Sequence, residues 1–325
     1  MFTARPLPGQ RRHLVRHAPQ PRRVYLAFRS RVPRRERVRA LEGLTAIVTG
    51  ASRGVGRGCA LELAAQGACV YITGRTLREG DSQFPGSLES CVEEAEGLGG
   101  QAIPVVCDHR EDRQVEALFE RVRAERKELH VLVNNAFSIP DDLDPNAPFW
   151  ETPISSWDDM VEVGARSAFV ATRLAAPQLV SQGKGLVVNI SSPGARYYYV
   201  HPAYGAAKAA LDRLARDTAH HLEPHGVAAV ALWPYFVVTE RMQMLDAKEW
   251  DLDLAGAESM RFCGRAVAAL AADEKVLERT GRSFTTRQLA LDYGFRDVDG
   301  SLPLGAPEPE DQWNTRMPPP PVGAD

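Results

Sequence analysis

Short apolar runs recur along the chain at Leu44–Val48, Cys69–Thr73, Ala102–Cys107, Val131–Val133, Leu186–Ile190 and Ala228–Leu232. Most are continuous rather than alternating, the pattern of strands covered on both faces, as in a parallel sheet. Between them, apolar positions return every three to four residues over Gly58–Gln66, Leu88–Leu98, Asp112–Lys127, Trp157–Val180 and Ala203–Leu222, which predicts helices. Strand, helix and strand in repeated succession predict a doubly wound α/β fold with a mostly parallel sheet. No repeat and no linker interrupts residues 41–304, so a single domain is expected there. Such sheets take ligands at the carboxyl ends of their strands, which makes the residues after each run the candidates for chemistry.

Composition changes this picture at the two ends. Residues 1–40 carry 12 arginines against one acid, Glu36, a balance of +11 that leaves −14 on the rest of a chain whose net charge is −3. This segment reads as a disordered arm, an arginine-rich transit segment or the product of an upstream start codon. No nucleic-acid-binding module accompanies it, so nucleic acid is not an expected partner. From residue 305 the chain is too rich in proline to pack, and a disordered tail is expected over 305–325. The longest apolar run, residues 227–238, is short and contains a proline, so no membrane span is expected. The five cysteines form no CxxC pair and no metal-ligand spacing. They read as reduced thiols of a cytoplasmic protein, and the three histidines in residues 220–225 read as a polar helix end.

The strand ends carry the chemistry. The first run opens into Thr49, Gly50, Ser52, Arg53, Gly54, Val55 and Gly56, a TGxxxGxG turn that lets backbone approach a pyrophosphate at a helix N-terminus. The second ends in Arg75 and Thr76, with no acid between Glu62 and Glu79 to meet a ribose 2′-hydroxyl. Arg53 and Arg75 without a carboxylate favour a 2′-phosphate, hence NADP(H). Asp108 after the third run suits an adenine amino group or a helix cap. Asn134 and Asn135 end the fourth, where amides can cross-link strands and face a cofactor. The fifth ends at Ser191 and Ser192, and the sixth at Pro234, with Thr239 beyond it to donate to a carboxamide or cap a helix. Tyr204 and Lys208 share a helix face at i and i+4, where 8 tyrosines and 5 lysines in 325 residues give ~0.12 such pairs by chance.

Taken together, TGxxxGxG, the NNA stretch, a serine 12 residues before YxxxK and a proline turn followed by threonine resemble the short-chain dehydrogenase/reductase superfamily over residues 41–300. Within it, "GASRGVGRG", "FWETPISSWDDM", "ISSPG" and "YGFRDVDG" look like the group called dehydrogenase/reductase SDR family member 1. The resemblance implies a Rossmann fold and an NADPH-dependent carbonyl reductase acting on a small apolar ketone or aldehyde, or running in reverse. It also implies catalysis by Ser192, Tyr204 and Lys208, and a homodimer or homotetramer formed through the two long helices. Two departures stand out. Gly164 occupies the place where the superfamily usually has an asparagine for a proton-relay water, and Tyr235 stands where the proline turn usually has glycine.

In that reading, Ser192 holds the carbonyl oxygen, Tyr204 gives the proton, and the Lys208 ammonium is expected to lower the phenol's pKa from ~10. Ser191 is the nearest rival to Ser192. The aromatic residues Trp150, Tyr197, Tyr198, Tyr199 and Tyr235 suit either an apolar pocket or core packing. The long stretch 137–150 suits a lid or a surface excursion. A binding protein that senses NADP(H) on the same fold without turnover is the alternative function, and Gly164 is its main support.

Overall fold

The computed structural model describes residues 39–141, 143–144, 146–244 and 256–307. Nearly all of the basic segment 1–40 and of the proline-rich segment 305–325 therefore lies outside the described residues. In chain order the elements are β1 (Thr45–Val48), α1 (Gly54–Ala65), β2 (Cys69–Gly74), α2 (Leu88–Gly97), β3 (Gln101–Val106), α3 (Asp112–Glu125) and β4 (Val131–Asn134). Next come α4 (Ser155–Trp157), a π-helical segment (Asp158–Arg166), α5 (Ser167–Gln182), β5 (Gly185–Ile190), α6 (Pro202–Leu222) and β6 (Val227–Trp233). The last are β7 (Val237–Val238), α7 (Glu240–Met244), β8 (Glu258–Ser259), α8 (Met260–Ala272), β9 (Ser283–Thr285) and α9 (Thr286–Tyr293).

Seven strands form one parallel sheet in the order β3-β2-β1-β4-β5-β6-β9. The order reverses between β1 and β4, the switch point at which such sheets open a crevice. Side-chain alternation divides the core in two. Ala46, Val48, Val70, Ile72, Val131 and Val133 face α1, α2 and α8, whereas Ile47, Tyr71, Leu132 and Val187 face α3, α5 and α6. Both faces are covered, which is why the strands read as continuous apolar runs. This is the doubly wound single domain that the sequence predicts.

The sequence pattern misses β9, α8 and α9. Strand β9 is only three residues long and too short to leave a periodicity. Helix α8 packs so closely on α1 that a Cβ on Gly58 would stand 1.9 Å from Met260 O. The helix predicted at 157–180 extends over 155–182 and is π-helical across residues 158–166. Among the described residues, no helix is long and apolar enough to cross a membrane.

Candidate active site

A cleft of about 1050 Å³ runs along the carboxyl ends of the strands, from Arg75 and Thr76 at one end to Ser192, Tyr204 and Lys208 at the other. Gly50, Ser52, Arg53, Gly54, Val55, Pro234 and Thr239, all expected at the site, also line it. The glycine turn has the tight geometry its sequence implies. Gly50 and Gly54 adopt φ of +66° and +61°, which side chains on L-residues disfavour. A Cβ on Gly56 would stand 2.3 Å from Gly50 O and from Asn135 Nδ2, so this glycine permits the close approach without facing the cleft.

Two further expected residues sit behind or beside the cleft rather than in its wall. Asn134 Nδ2 donates to Asn189 Oδ1 and Thr172 Oγ1, both at 2.9 Å, and Asn189 Nδ2 donates to Leu211 O at 3.0 Å. This chain of amides ties β4 to β5 and β5 to α6. Asp108 Oδ1 accepts from Arg110 N at 3.0 Å in the turn before α3; it does not cap that helix, whose N-cap is Glu111. Thr239 lines the cleft, and its Oγ1 accepts from Met242 N at 3.2 Å at the start of α7, the capping alternative.

Asn135, expected beside Asn134 as a strand-end amide, also lines the wall, whereas His109 and Glu240 lie outside the sequence-based set. Asn135 Nδ2 donates to Thr49 O and Gly50 O, both at 2.8 Å, and so fixes the glycine turn; its only sequence signal is its place beside Asn134. His109 Nε2 lies 2.7 Å from Thr73 Oγ1, while its buried Nδ1 has no hydrogen-bond partner among the described residues. Burial holds this imidazole neutral, with its pKa lowered to about 4. Glu240 places Oε2 2.8 Å from Gly54 N, so a carboxylate already sits at the N-terminus of α1. Nothing in the local sequence marks His109 or Glu240, since both act through chain-distant neighbours.

The arginines divide their roles. Arg53 donates from Nε to Pro85 O and from Nη2 to Phe84 O, Gly86 O and Thr76 Oγ1, at 2.9 to 3.2 Å. Its guanidinium thus pins residues 84–86 against the cleft, and burial lowers its pKa. Arg75 is exposed at the cleft wall. Arg241 of α7 donates to Ile139 O and Pro140 O, both at 2.9 Å, and stacks over Phe84; Gln83 donates to Asp141 at 2.6 Å. Residues 83–84, 139–141 and Arg241 therefore meet at the cleft.

At the other end, Tyr204 donates to Ser192 Oγ at 3.0 Å. Ser191 Oγ instead donates to Lys208 O at 2.9 Å, turned toward the α6 backbone. Lys208 Nζ donates to Ile190 O at 3.1 Å. Burial lowers the pKa of Lys208 to about 8, against the opposing pull of Asp212 and Cys263. Burial likewise raises the pKa of Tyr204, and the Ser192 hydrogen bond offsets only part of that rise. The sequence led us to expect a lowered phenol pKa; in the structure desolvation outweighs any help from the ammonium, which faces Ile190 O and an aromatic ring. Asp212, one turn beyond Lys208, accepts from Trp233 Nε1 at 2.9 and 3.1 Å and is raised by burial to about 6.

Of the five candidate aromatics, Tyr235 lines the cleft and Tyr199 stacks near Tyr204, with ring centroids 6.3 Å apart. Trp150, Tyr197 and Tyr198 are exposed, forming neither core nor cleft wall. Beneath Tyr235, whose backbone N donates to Glu258 Oε1 at 3.0 Å, lies a fully buried acid. Thr286 Oγ1 also donates to Glu258 Oε1, Oε2 has no partner among the described residues, and burial lifts the pKa to about 7.

These features fit a dinucleotide. The cleft is long, one end offers exposed cationic and backbone N–H groups, and a helix N-terminus there already holds an anionic oxygen. The short chain dehydrogenase family profile matches residues 44–250. Dehydrogenase/reductase SDR family member 1 of Homo sapiens is 43% identical over 273 residues, covering 80% of this chain and 85% of that protein. The mouse protein of the same name (Mus musculus) is 42% identical over 276 residues, covering 81% and 86%. Among solved structures, a candidate dehydrogenase from Xanthomonas campestris aligns with a TM-score of 0.69 at 27% identity, covering 81% of this chain and 93% of that one. A candidate NAD(P)-dependent gluconate 5-dehydrogenase from Beutenbergia cavernae, with NADP bound at low occupancy, aligns at 0.65 with 28% identity, covering 77% and 97%. The chain belongs to the short-chain dehydrogenase/reductase family, oxidoreductases that bind a nicotinamide cofactor.

Proposed function

We propose that the protein is an NADP(H)-dependent oxidoreductase that interconverts a carbonyl group and an alcohol on a small, largely apolar molecule. The observation that carries this reading is the hydrogen bond from Tyr204 to Ser192 at 3.0 Å in the wall of the cleft, one helical turn from Lys208. Gly50, Ser52, Gly54, Val55, Pro234 and Thr239 would hold the dinucleotide. Asn134, Asn135 and Gly56 would act from behind by shaping the wall, and Asp108 by setting the turn that presents His109. When bound, the reduced nicotinamide supplies a hydride to the carbonyl carbon.

The remaining work belongs to side chains. Ser192 Oγ holds the carbonyl oxygen, and Tyr204 places its hydroxyl proton on that oxygen as negative charge develops there. A phenol whose pKa is raised by burial keeps this proton at neutral pH, which suits the reducing direction. Lys208 supplies positive charge beside the tyrosine left without its proton. Tyr199, Tyr235 and Phe236 surround this end with apolar area, with Tyr199 and Phe236 ring centroids 5.6 Å apart, which favours an apolar substrate. Exposed Arg75, joined by Thr76 and by Arg53 behind it, favours a 2′-phosphate over a bare 2′-hydroxyl. The family resemblance adds a homodimer or homotetramer packed through α5 and α6, which light scattering on the purified chain reads, and the reading of the cysteines as reduced thiols adds a cytoplasmic location.

The deciding experiment follows oxidation of NADPH and NADH with a panel of ketones, aldehydes and quinones. Turnover of at least one apolar carbonyl, faster with NADPH, is expected. Tight NADPH binding with no turnover on any of them would instead identify a cofactor-sensing protein.

A further inference from the structure

Two positions distant in the chain explain each other. The NNA stretch after β4 is followed by Phe137, and the π-helical segment before α5 carries Gly164. A Cβ on Gly164 would lie 2.6 and 2.7 Å from Cε2 and Cδ2 of the Phe137 ring, nearer than carbon atoms approach. The ring is therefore seated on bare helix backbone, and any side chain at 164 would need the space it fills.

The same ring touches α6 twice. Lys208 Nζ stands 4.1 Å from the Phe137 ring centroid, against 5.6 Å from that of Tyr204. Phe137 and Tyr204 meet edge to face, with centroids 5.5 Å apart and planes at 78°. Lys208 is 6% exposed, and its ammonium has three N–H donors but only Ile190 O as a hydrogen-bond acceptor among the described residues. Burying a cation is costly, and the negative face of an aromatic ring 4.1 Å away is a compensation at hand.

We propose that Phe137 is a positioning residue: seated on Gly164, its ring holds the Lys208 ammonium charged and in place beside Tyr204. The consequence for catalysis rests on the Ser192–Tyr204–Lys208 reading given above; the contact itself does not. The groups facing Lys208 are Tyr204 and Asp212 from α6, Cys263 from α8, the Ile190 carbonyl from β5 and the ring after β4. Asp212 and Cys263 favour the ammonium and burial opposes it, bringing its titration to about pH 8. Loss of the ring removes one of the favourable contributions, so the midpoint moves further down.

The test needs no turnover. The chain contains five lysines, so NMR of the full-length protein labelled with ¹³C at lysine Cε gives a spectrum simple enough to assign, with Lys208→Arg identifying the Lys208 signal. In the wild type that signal is expected to be displaced by the ring current and to titrate near pH 8. Phe137→Leu keeps an apolar filler; it should cut the displacement to what the Tyr204 ring alone gives and lower the midpoint by about one pH unit. Gly164→Ala, which forces the ring off its seat, should do the same by a separate route and covers the case in which the first variant misfolds. An unchanged signal and midpoint in both variants would overturn the proposal. With an active enzyme, Phe137→Leu should also lower kcat about fivefold near pH 8, as the charged fraction of Lys208 falls, while dinucleotide Kd stays within about twofold. A protein that turned over nothing, yet showed these lysine shifts, would refute the proposed function and leave the Phe137 contact standing.

Discussion

The two ends of the cleft are built on opposite physical terms. At the proposed phosphate end the wall presents backbone N–H groups, an exposed Arg75 and a carboxylate, Glu240, poised on Gly54 N. Charges there remain close to solvent, where screening keeps each interaction small. At the catalytic end Tyr204, Lys208, Asp212 and Glu258 are ionisable groups whose pKa values burial displaces. Each depends on one or two protein partners because water is largely excluded. Changes at the dry end should accordingly have large effects that are hard to compensate, whereas changes at the wet end should be modest and sensitive to salt.

The largest expected effect is at Tyr204. Tyr204→Phe removes one oxygen while keeping the ring that Phe137 and Tyr199 pack against. Turnover should fall by ~10²–10⁴-fold, the usual range for a lost general acid, with NADPH affinity retained. Steady-state rates and fluorescence titration read the two quantities, and wild-type turnover in this variant would remove Tyr204 from its role.

Glu258 extends the comparison to stability. Its folded-state pKa of about 7 lies above the 4.5 of a free glutamate, so the native state binds its proton more tightly. That contribution is fully present below pH 4.5 and is lost as the pH rises through about 7. Wild-type stability should therefore drop between pH 5 and pH 8, by about 2 kcal/mol on account of this one group. Glu258→Gln, which keeps an acceptor for Thr286 and Tyr235 N, should flatten that difference in urea titrations. An unchanged slope would place the pH sensitivity elsewhere.

How much of this was legible in the sequence follows the same division by distance along the chain. The glycine turn and the Tyr204–Lys208 pair could be read because each function sits within one turn or one helix, where spacing alone fixes geometry. The parallel sheet could be read because burial on both faces removes polar positions from every strand. His109, Glu240 and Glu258 left no such trace, since each depends on a partner far away in the sequence. Arg53 shows the same limit: its charge suggested a phosphate contact, but its hydrogen bonds go to carbonyls of residues 84–86 and to Thr76. The expected lowering of the Tyr204 pKa weighed the ammonium and not the burial that only packing reveals. Gly164 was visible as a departure from the family, but the Phe137 ring that fills the space beside it required the fold.

Effects at the wet end are smaller. Arg75→Ala should weaken NADPH binding about tenfold and leave NADH nearly unchanged, the value of one charge-assisted contact to an exposed phosphate. The difference should shrink at high salt. Equal losses for both dinucleotides would mean that Arg75 does not read the 2′ position.

Glu240 offers the finest test, because its predicted sign is opposite to that of the other variants. Its carboxylate accepts from Gly54 N at 2.8 Å, where the helix N-terminus favours an anion by ~0.3–1 kcal/mol. A dinucleotide pyrophosphate bound at the same N–H groups would have to displace this oxygen and overcome its like charge. Glu240→Gln removes the charge at nearly constant shape, so dinucleotide affinity should rise by about two- to fivefold at low ionic strength. The gain should fade as salt is added, while kcat at saturating dinucleotide stays level. Weaker binding in this variant would mean that Glu240 organises the phosphate end rather than competing for it, and the contrast between a competitive wet end and a pre-assembled dry end would fail.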